Sequence, residues 1–397
     1  MDRNRFIVSA GALAGVAALP GGARAEDSVT LPFANGQRPL AVFPQKKPLI
    51  VLTPRPPQLE TPMSVFDRGV LTPNDQFFVR WHLSGIPRSV DASTHRIAVT
   101  GAVSKPLSLS LDDLQQMHAV DVVAVNQCSG NSRGHVSPRV PGGQWDNGAM
   151  GNARWTGVRL RDILDRAGIT SEAKQIQFAG LEKPPLPTTP AFKKSLDVSV
   201  ARGDDVIVAY AMNGQPLPLL NGYPVRLVVA GWYSTYWVKM LSAITVLDHV
   251  DDNFWMKTAY RIPDTPTGGV PPGTTTFASV PINRMVVRSF VTNVVNGATL
   301  KSGEVVMRGI AFDGGSGIKR VETSSDGGTT WREADLEQDF GKYSFRRWNT
   351  SWMMAPGSYT FAVRATGNDN AVQTATAIWN PSGYMLNPIE TYQVTIV

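Results

Sequence analysis

The sequence of 397 residues contains one cysteine, Cys128. A single thiol excludes a disulfide within the chain, a thiolate-rich zinc or iron–sulfur site, and covalent attachment of a c-type haem. None of the five histidines forms a distinctive local motif with this cysteine, which argues against a hydrolase nucleophile. Any chemistry at this thiol therefore uses Cys128 alone.

A strong excess of charge and a long apolar run are also missing. The formal net charge is +6, and three arginines against one aspartate in residues 1–25 leave +4 for the rest of the chain. This excludes the strongly basic charge that is typical of nucleic-acid-binding proteins. After the first segment no stretch approaches the ~20 apolar residues of a transmembrane helix. We expect no nucleic-acid partner and no stable membrane span.

The composition is that of a globular chain rich in turns. Hydrophobic residues make up 42% and charged residues 18%, with 36 glycines and 29 prolines. Disorder is disfavoured by this balance, and strands are favoured over helices. At roughly 150 residues per domain, the length predicts two to three domains.

The first 25 residues have the three regions of an export signal. Arg3 and Arg5 precede the apolar, small-residue run Phe6–Pro20, and Ala23–Ala25 supplies an A-x-A cleavage site. We predict that residues 1–25 are removed and that the mature protein is periplasmic. A membrane anchor that stays attached is the alternative.

The arginine pair of this segment resembles a twin-arginine signal in which one residue splits the pair. That route exports proteins that have already folded around a cofactor. Whether this chain uses it or the general secretion route stays open.

The rest of the chain changes character near residue 265, which predicts two domains, 26–265 and 280–397. Proline-rich residues 40–63 are expected to wrap the surface as extended chain. The stretch Pro263–Pro281 is interpreted as a linker or a long crossing loop.

Residues 26–265 show a mixed α/β pattern. The predicted helix is Leu160–Ala167, with Gly168 as its stop. The predicted buried strands are short β-branched runs: Ile97–Val99, Val122–Val125, Val206–Val208 and Leu227–Val229.

The tail instead predicts a β-sandwich of immunoglobulin-like type, so the fold class is α+β. Ser325–Gly328 provides a tight hairpin turn. The predicted strands alternate in polarity: Val305–Ile310, Gly317–Thr323, Tyr343–Trp348 and Tyr359–Arg364.

Cys128 directly follows a predicted strand and enters a loop of small polar residues. This geometry presents the sulfur to a pocket, where Gly130 allows close backbone approach and Arg133 favours the thiolate. An inert, buried thiol is about equally consistent with the spacing. Ligation of a metal held mainly by another group also stays open.

Two further clusters suit anions. Arg80 and His82 are two residues apart in a predicted strand and so share a face, which pairs a fixed cation with a titratable group. A glycine-, serine- and threonine-containing turn at 231–235 lies between Arg226 and Lys239 and could cradle a phosphate. Each pattern alone is also consistent with ordinary surface or core residues.

Taken together, four segments of the sequence resemble the sulfite oxidase family of molybdenum enzymes. They are Phe78–His82, Asn126–Arg133, Tyr210–Gly214 and Asn221–Arg226. The sequence looks most like the molybdenum subunits of bacterial periplasmic sulfite dehydrogenases. The resemblance runs through both predicted domains, and it implies a molybdopterin-binding domain followed by a dimerisation domain.

The resemblance implies roles for residues at matching positions. Cys128 is the protein ligand of molybdenum, beside the two sulfurs of the pyranopterin, and Arg80 and Arg133 form the anion pocket. Tyr260 is the active-site tyrosine, and His82 lies near the metal. Trp255 completes the predicted catalytic set as an aromatic wall.

The residues implied as cofactor contacts are Phe78, Arg80, His82, Cys128, Glu182, Asn221, Arg226, Trp237, Val238 and Lys239. Two of them depart from the vertebrate pattern. Asn221 stands where a histidine is usual there, and Glu182 stands where an aspartate is usual.

The resemblance implies oxidation of sulfite to sulfate at a molybdenum–molybdopterin centre, with electrons passed singly to an external c-type cytochrome. Oxygen is the alternative acceptor, as in the haem-less plant members. Vertebrate members also carry an N-terminal haem domain, and none is expected in this chain. A homodimer through the C-terminal domain or a heterodimer with a cytochrome subunit is expected.

Two other functions are alternatives. One is a periplasmic molybdenum-dependent methionine sulfoxide reductase, whose family generally lacks the C-terminal sandwich and the arginine pair. The other is an exported anion-binding module without catalysis, against which the lone cysteine in its loop argues.

Overall fold

The computed structural model describes residues 28–31, 36–41, 43 and 45–397. The predicted export signal, residues 1–25, lies outside the described residues. Strands dominate, and they are numbered here in chain order. Those of the first part are β1 (Ser28–Leu31), β2 (Gly36–Ala41), β3 (Leu49–Pro54), β4 (Pro57–Glu60), β5 (Val79–Arg80), β6 (Ile97–Gly101), β7 (Leu107–Leu109), β8 (Ala119–Gln127), β9 (Met150–Arg159), β10 (Gln175–Gly180), β11 (Lys193–Asp197), β12 (Val206–Met212), β13 (Gln215–Pro216), β14 (Arg226–Val229), β15 (Leu241–Leu247) and β16 (Arg261–Pro263).

The second part of the chain contains strands only. They are β17 (Ser279–Pro281), β18 (Arg288–Val291), β19 (Ala298–Leu300), β20 (Gly303–Phe312), β21 (Ile318–Ser324), β22 (Arg332–Glu333), β23 (Asp335–Leu336), β24 (Arg346–Met354), β25 (Gly357–Gly367) and β26 (Glu390–Ile396). The α-helices all lie in the first part and are α1 (Leu111–Gln115), α2 (Leu160–Ala167), α3 (Val198–Ala201) and α4 (Phe254–Lys257).

The first part contains three larger sheets, with strand orders β1-β2-β3-β4-β5, β11-β10-β15-β6-β7 and β13-β12-β9-β8, where β14 also pairs with β12. The second part is a sandwich of two sheets, β18-β20-β24-β23 and β19-β26-β25-β21-β22. The predicted fold class, a mixed α/β domain followed by an immunoglobulin-like sandwich, is confirmed.

The helix α2 has the apolar spacing and the glycine stop from which the sequence predicts it. Leu160, Ile163, Leu164 and Ala167 are all fully buried, at the spacing of one helix face. Gly168 follows in the left-handed conformation with φ 66° and donates its N–H to the Leu164 carbonyl. The predicted limits of this helix and the positions of the four predicted buried strands are confirmed.

Two sequence predictions need correction, and a third, left open between a linker and a crossing loop, is decided in favour of the loop. Tyr343–Trp348 was predicted as a strand, but β24 begins at Arg346 because Tyr343 serves a different contact, donating its hydroxyl to Asp205 of the first part at 2.8 Å. Residues 40–63 do not simply wrap the surface, since β3 and β4 are paired and Leu59 is fully buried. The stretch Pro263–Pro281 is a loop whose two ends pair as β16 and β17.

The two parts are joined by a shared core and by buried polar contacts. Phe290, Ile310 and Phe312 of the sandwich belong to the same buried cluster as the first part's strands. The side chain of Arg288 is 1% exposed and donates to the Glu390 carboxylate at 2.6 Å and to Ser132 Oγ at 2.9 Å. The second part therefore buttresses the loop that follows Cys128.

Helices capable of crossing a membrane are missing from the described residues, where none is both long and apolar enough.

Candidate active site

Two neighbouring cavities contain most of the residues predicted for the site, and Arg80 lines both. The first is narrow and is lined, among others, by Phe78, Arg80, His82, Asn221, Arg226 and Lys239. The second has a volume of about 390 Å³ and is lined, among others, by Arg80, Cys128, Arg133 and Tyr260. The turn between Arg226 and Lys239 thus lies on one side of Arg80, and the loop that begins at Cys128 lies on the other.

Cys128 is placed by the end of strand β8, which stops at Gln127. Its backbone N–H donates to the Ala149 carbonyl at 2.9 Å, and Cys128 as a whole is 6% exposed. Asn131 fastens the loop from the other side, because its amide accepts from Ala149 and donates to Asn147. The thiol is consequently held at a fixed point on the wall of the second cavity.

Arg133 is held by carbonyl groups and enclosed by glycines. Its Nε donates to Ser382 at 2.9 Å and one terminal nitrogen donates to Gly143 at 3.1 Å. A Cβ on Gly130 would lie 2.2 Å from the other terminal nitrogen, and one on Gly142 would lie 2.7 Å from the guanidinium. The glycines leave the guanidinium just enough room, so its position is set by the backbone.

Arg80 faces the same cavity from the end of β5. Its Cζ lies 5.8 Å from the centre of the Tyr260 ring, and one terminal nitrogen is buried without a hydrogen-bond partner among the described residues. Arginine stays charged in proteins, so Arg80 and Arg133 form a pair of fixed cations beside the thiol. Such a pair suits a small oxyanion.

The strand predicted to contain both Arg80 and His82 ends at Arg80, so His82 lies outside β5, but it still lines the first cavity. Its Nε2 lies 2.7 Å from the Tyr260 hydroxyl, and its ring stacks on Phe192 at 3.6 Å. Burial and the nearby Arg80 lower the pKa of His82 well below its usual range. The ring is therefore neutral, and its 4.0 Å separation from Glu182 is not an ion pair.

Tyr260 is also held in one protonation state. Burial raises the pKa of its hydroxyl well above the ordinary value, so the group stays protonated across the physiological range. Its backbone has φ 58°, a left-handed conformation that is uncommon for a residue with a side chain. The surrounding structure thus fixes a neutral hydroxyl at the cavity wall.

The first cavity contains the cations of the glycine-containing turn. Arg226 is buried and donates to the carbonyls of Asn221 and Trp237, while its Nε has no partner in the described chain. Burial lowers its pKa to about 9, which still leaves it charged at neutral pH. Burial also lowers the pKa of Lys239, whose ammonium lies over the Trp81 ring at 4.6 Å.

Asn221 makes its side-chain contacts with the protein. The amide oxygen accepts from the Lys46 ammonium, and the amide nitrogen donates to the Phe78 carbonyl at 3.0 Å. Lys46 also donates to the carbonyls of Asn74 and Phe77, and burial lowers its pKa to about 7. Asn221 therefore positions the backbone at Phe78 from within the wall of the first cavity.

Four of the predicted residues lie behind the cavity walls. Glu182 accepts the Leu83 N–H at 3.0 Å, and burial raises its pKa. Trp237 and Val238 are almost fully buried in the core. Trp255 packs edge-on against His82 at 5.2 Å. Their assignment as cofactor or catalytic contacts stays a prediction.

Sequence reasoning missed three side chains near the site. Lys46 and Lys194 are isolated in the sequence, and Tyr384 comes from the second domain. Lys194 is fully buried, donates to the Trp255 carbonyl at 2.7 Å and lies 5.5 Å from the Tyr260 ring centre. No local motif marks any of them, since each reaches the site only through the tertiary fold.

The walls of the two cavities fit a large anionic group with its own metal ligands. Residues that line the first cavity carry buried polar atoms without a hydrogen-bond partner in the described residues: a terminal nitrogen of Arg80, His82 Nδ1, Asn126 Nδ2 and Arg226 Nε. Gln127 Oε1 and Ser129 Oγ, on either side of Cys128 in the chain, are also without a partner there. Within the described part of the chain there is no cluster of three or more His, Cys, Asp or Glu side chains for a metal. One thiolate would thus need further ligands from a cofactor.

The chain is similar to known proteins over both of its parts. The family model "Oxidoreductase molybdopterin binding domain" matches residues 82–255, and "Mo-co oxidoreductase dimerisation domain" matches residues 279–397. Mitochondrial sulfite oxidase of Mus musculus is 34% identical over 394 residues, covering 94% of this chain and 70% of that protein. Sulfite oxidase of Arabidopsis thaliana is 29% identical, covering 89% and 96%.

A solved structure shares the overall fold. The sulfane dehydrogenase SoxCD from Paracoccus pantotrophus superposes with a TM-score of 0.75 and 22% identity, covering 98% of this chain and 93% of that chain.

The glycine cradle around Arg133 gives a first testable prediction. In Gly130→Ala the new Cβ would displace the guanidinium, so affinity for a small oxyanion, with sulfate as the probe, should fall roughly tenfold or more, the loss expected for one charge-assisted hydrogen bond. Isothermal titration with sulfate measures this. Gly69→Ala is the matched control, because nothing lies within 4 Å of its added Cβ. Unchanged affinity in folded Gly130→Ala protein would contradict the cradle.

Proposed function

Because the chain belongs to the sulfite oxidase family of molybdopterin enzymes, we propose that it oxidises sulfite to sulfate and passes the electrons singly to a c-type cytochrome. The chain is a molybdopterin oxidoreductase, with molybdenum–molybdopterin as its cofactor. Sulfite as the substrate and the cytochrome as the acceptor are the proposed parts.

One observation carries the choice of substrate. Two guanidinium groups, from Arg80 and Arg133, line a single cavity of about 390 Å³ together with the Cys128 thiol. Two fixed cations match the two charges of sulfite, and charge-assisted hydrogen bonds contribute roughly 1.5–3 kcal/mol each. An uncharged sulfoxide would leave both cations without a counter-charge.

Residues of both cavities would bind the cofactor. Cys128 would ligate the metal from the second cavity, and Arg226 and Lys239 would meet the cofactor's phosphate in the first. When bound, the molybdenum and its pterin supply the oxygen-atom transfer and the two-electron redox chemistry. The chain's own residues bind the substrate, orient it and hold protons in place.

Tyr260 and His82 orient the substrate in this proposal. The neutral Tyr260 hydroxyl can donate to a substrate oxygen, and its 2.7 Å contact with His82 fixes its direction. Because burial lowers the pKa of His82, the ring is a poor proton acceptor at neutral pH. The two protons released when sulfite and water become sulfate must therefore leave by another route.

The cysteine count supports an electron acceptor outside this chain. Oxidation of sulfite releases two electrons, and one cysteine cannot attach a c-type haem or hold an iron–sulfur cluster.

We propose export to the periplasm, where c-type cytochromes are available, with the signal at residues 1–25. We also propose assembly through the C-terminal domain, as a homodimer or with a cytochrome subunit, supported by the match to a dimerisation domain.

Replacing Arg80 tests the anion pocket. Arg80→Gln should raise the KM for sulfite roughly ten- to a hundredfold, because one charge-assisted bond to the anion is lost. Arg80→Lys keeps the charge and should raise KM less. Arg364→Gln is the control, since Arg364 pairs with Glu322 within the sandwich. An unchanged KM in fully molybdenum-loaded Arg80→Gln enzyme would rule out this pocket.

The acceptor is tested by comparing reoxidation. Sulfite-reduced enzyme should be reoxidised faster by ferricytochrome c than by dissolved oxygen, measured by stopped-flow at equal acceptor concentrations. Oxygen reoxidising the enzyme as fast as ferricytochrome c would overturn the cytochrome proposal and favour an oxidase.

A further inference from the structure

We propose that Tyr384, a residue of the second domain, sets the size of substrate that the site admits. Its ring restricts the cavity to a small inorganic oxyanion and excludes organic sulfinates, in which a carbon group replaces one oxygen of sulfite. This inference rests on the proposed function and adds the residue that selects among sulfur oxyanions.

The ring of Tyr384 lies against two groups that the substrate would touch. It lines the second cavity together with Cys128. It is nearly parallel to the Tyr260 ring, with ring centres 5.6 Å apart and an interplanar angle of 4°. The Cζ of Arg133 lies 5.3 Å from the centre of the Tyr384 ring. The second domain thus supplies a wall of the substrate cavity.

The segment that carries this ring is held in one conformation by Asn380. The Asn380 side chain accepts from the backbone N–H groups of Ser382 and Tyr384, at 3.2 and 3.1 Å, and donates to the Tyr384 carbonyl at 2.8 Å. Asn380 is 2% exposed, so these bonds are shielded from water. The ring is therefore presented by a pre-formed turn.

The same turn is fastened to the first domain at two points. The Met385 N–H donates to the carbonyl of Ser129, the residue after Cys128, at 3.2 Å. Arg133 Nε donates to the Ser382 carbonyl at 2.9 Å. Gly383 permits the close approach, since a Cβ there would lie 2.7 Å from Val140 and 2.9 Å from Arg133. Tyr384 is consequently a fixed wall, and its distance from the thiol does not depend on domain motion.

The chemistry of the ring suits exclusion by size. Burial raises the pKa of its hydroxyl, so the side chain stays neutral and adds no charge to the anion pocket. The guanidinium groups attract the oxygens of both anions, and because a sulfinate carries one charge where sulfite carries two, the effect of size is read from the change between variants. The carbon group of a sulfinate needs extra space, and the Tyr384 ring occupies part of the cavity that could provide it.

Oxidation of a sulfinate uses the same bond changes as oxidation of sulfite. The sulfur lone pair of R–SO2⁻ forms one new S–O bond, with oxygen ultimately from water, and gives R–SO3⁻, two protons and two electrons. The carbon–sulfur bond is kept. In the assay, two equivalents of ferricyanide accept the two electrons. Since both oxidations use the same co-reactants, the larger substrate requires only a wider cavity.

The experiment compares the molybdenum-loaded holoenzyme with Tyr384→Phe, which keeps the ring, and Tyr384→Ala, which removes it. The ratio of kcat/KM for benzenesulfinate to kcat/KM for sulfite should rise about tenfold or more in Tyr384→Ala and stay near wild type in Tyr384→Phe. Tyr359→Ala is the control, because Tyr359 packs against the sandwich core and not against the cavity.

Binding provides a readout that is independent of turnover. By isothermal titration, Tyr384→Ala should gain about tenfold or more in affinity for benzenesulfonate relative to sulfate, and Tyr384→Phe should not. If both ratios are unchanged in Tyr384→Ala protein with normal molybdenum content, the proposal is wrong. A fully loaded wild type that does not oxidise sulfite would instead overturn the proposed function, while the binding ratio still decides the role of Tyr384.

Discussion

Positive charge gathered in the interior around one thiol is the constraint on which the rest of the structure depends. Arg80, Arg133, Arg226 and Lys239 line two adjoining cavities. Burial raises the pKa of Glu182, the acidic side chain that interacts with Lys239 and Arg80. Buried charges are costly unless they are paired. Phosphate on one side of Arg80 and a substrate oxyanion on the other would pair them, so the site is built for two anionic groups.

Holding these cations in place explains several otherwise separate features. Glycines enclose the Arg133 guanidinium, and carbonyl groups accept its hydrogen bonds. At Gly222, which has φ 114°, an added Cβ would lie 3.1 Å from Arg226 and 3.2 Å from Lys239, so glycine permits the close packing there. The second domain contributes as well, through Arg288 on Ser132 and through the segment around Tyr384. The sandwich is therefore part of the active site's construction as well as the element matched to dimerisation.

The spacing of residues along the chain correctly predicted the features that local interactions determine. The helix α2, the buried strands and the position of Cys128 after β8 depend on periodicity and on stop signals such as Gly168, and these were predicted correctly. The strand expected from Tyr343 begins only at Arg346, and Tyr343 instead contacts Asp205 of the first part. Lys46, Lys194 and Tyr384 stand alone in the sequence, and only the tertiary fold brings them to the cavities. The resemblance to the sulfite oxidase family implied the roles that residue spacing left open. Arg80 and Arg133, the residues implied for the anion pocket, line one cavity.

The most direct test of the central claim is the sulfite-dependent reduction of ferricytochrome c by preparations of the purified protein that differ in molybdenum content. The account predicts two cytochromes reduced for each sulfate formed, at a rate proportional to bound molybdenum, and none without the metal. Sulfite oxidation that is independent of molybdenum, or its absence in fully loaded protein, would contradict the account.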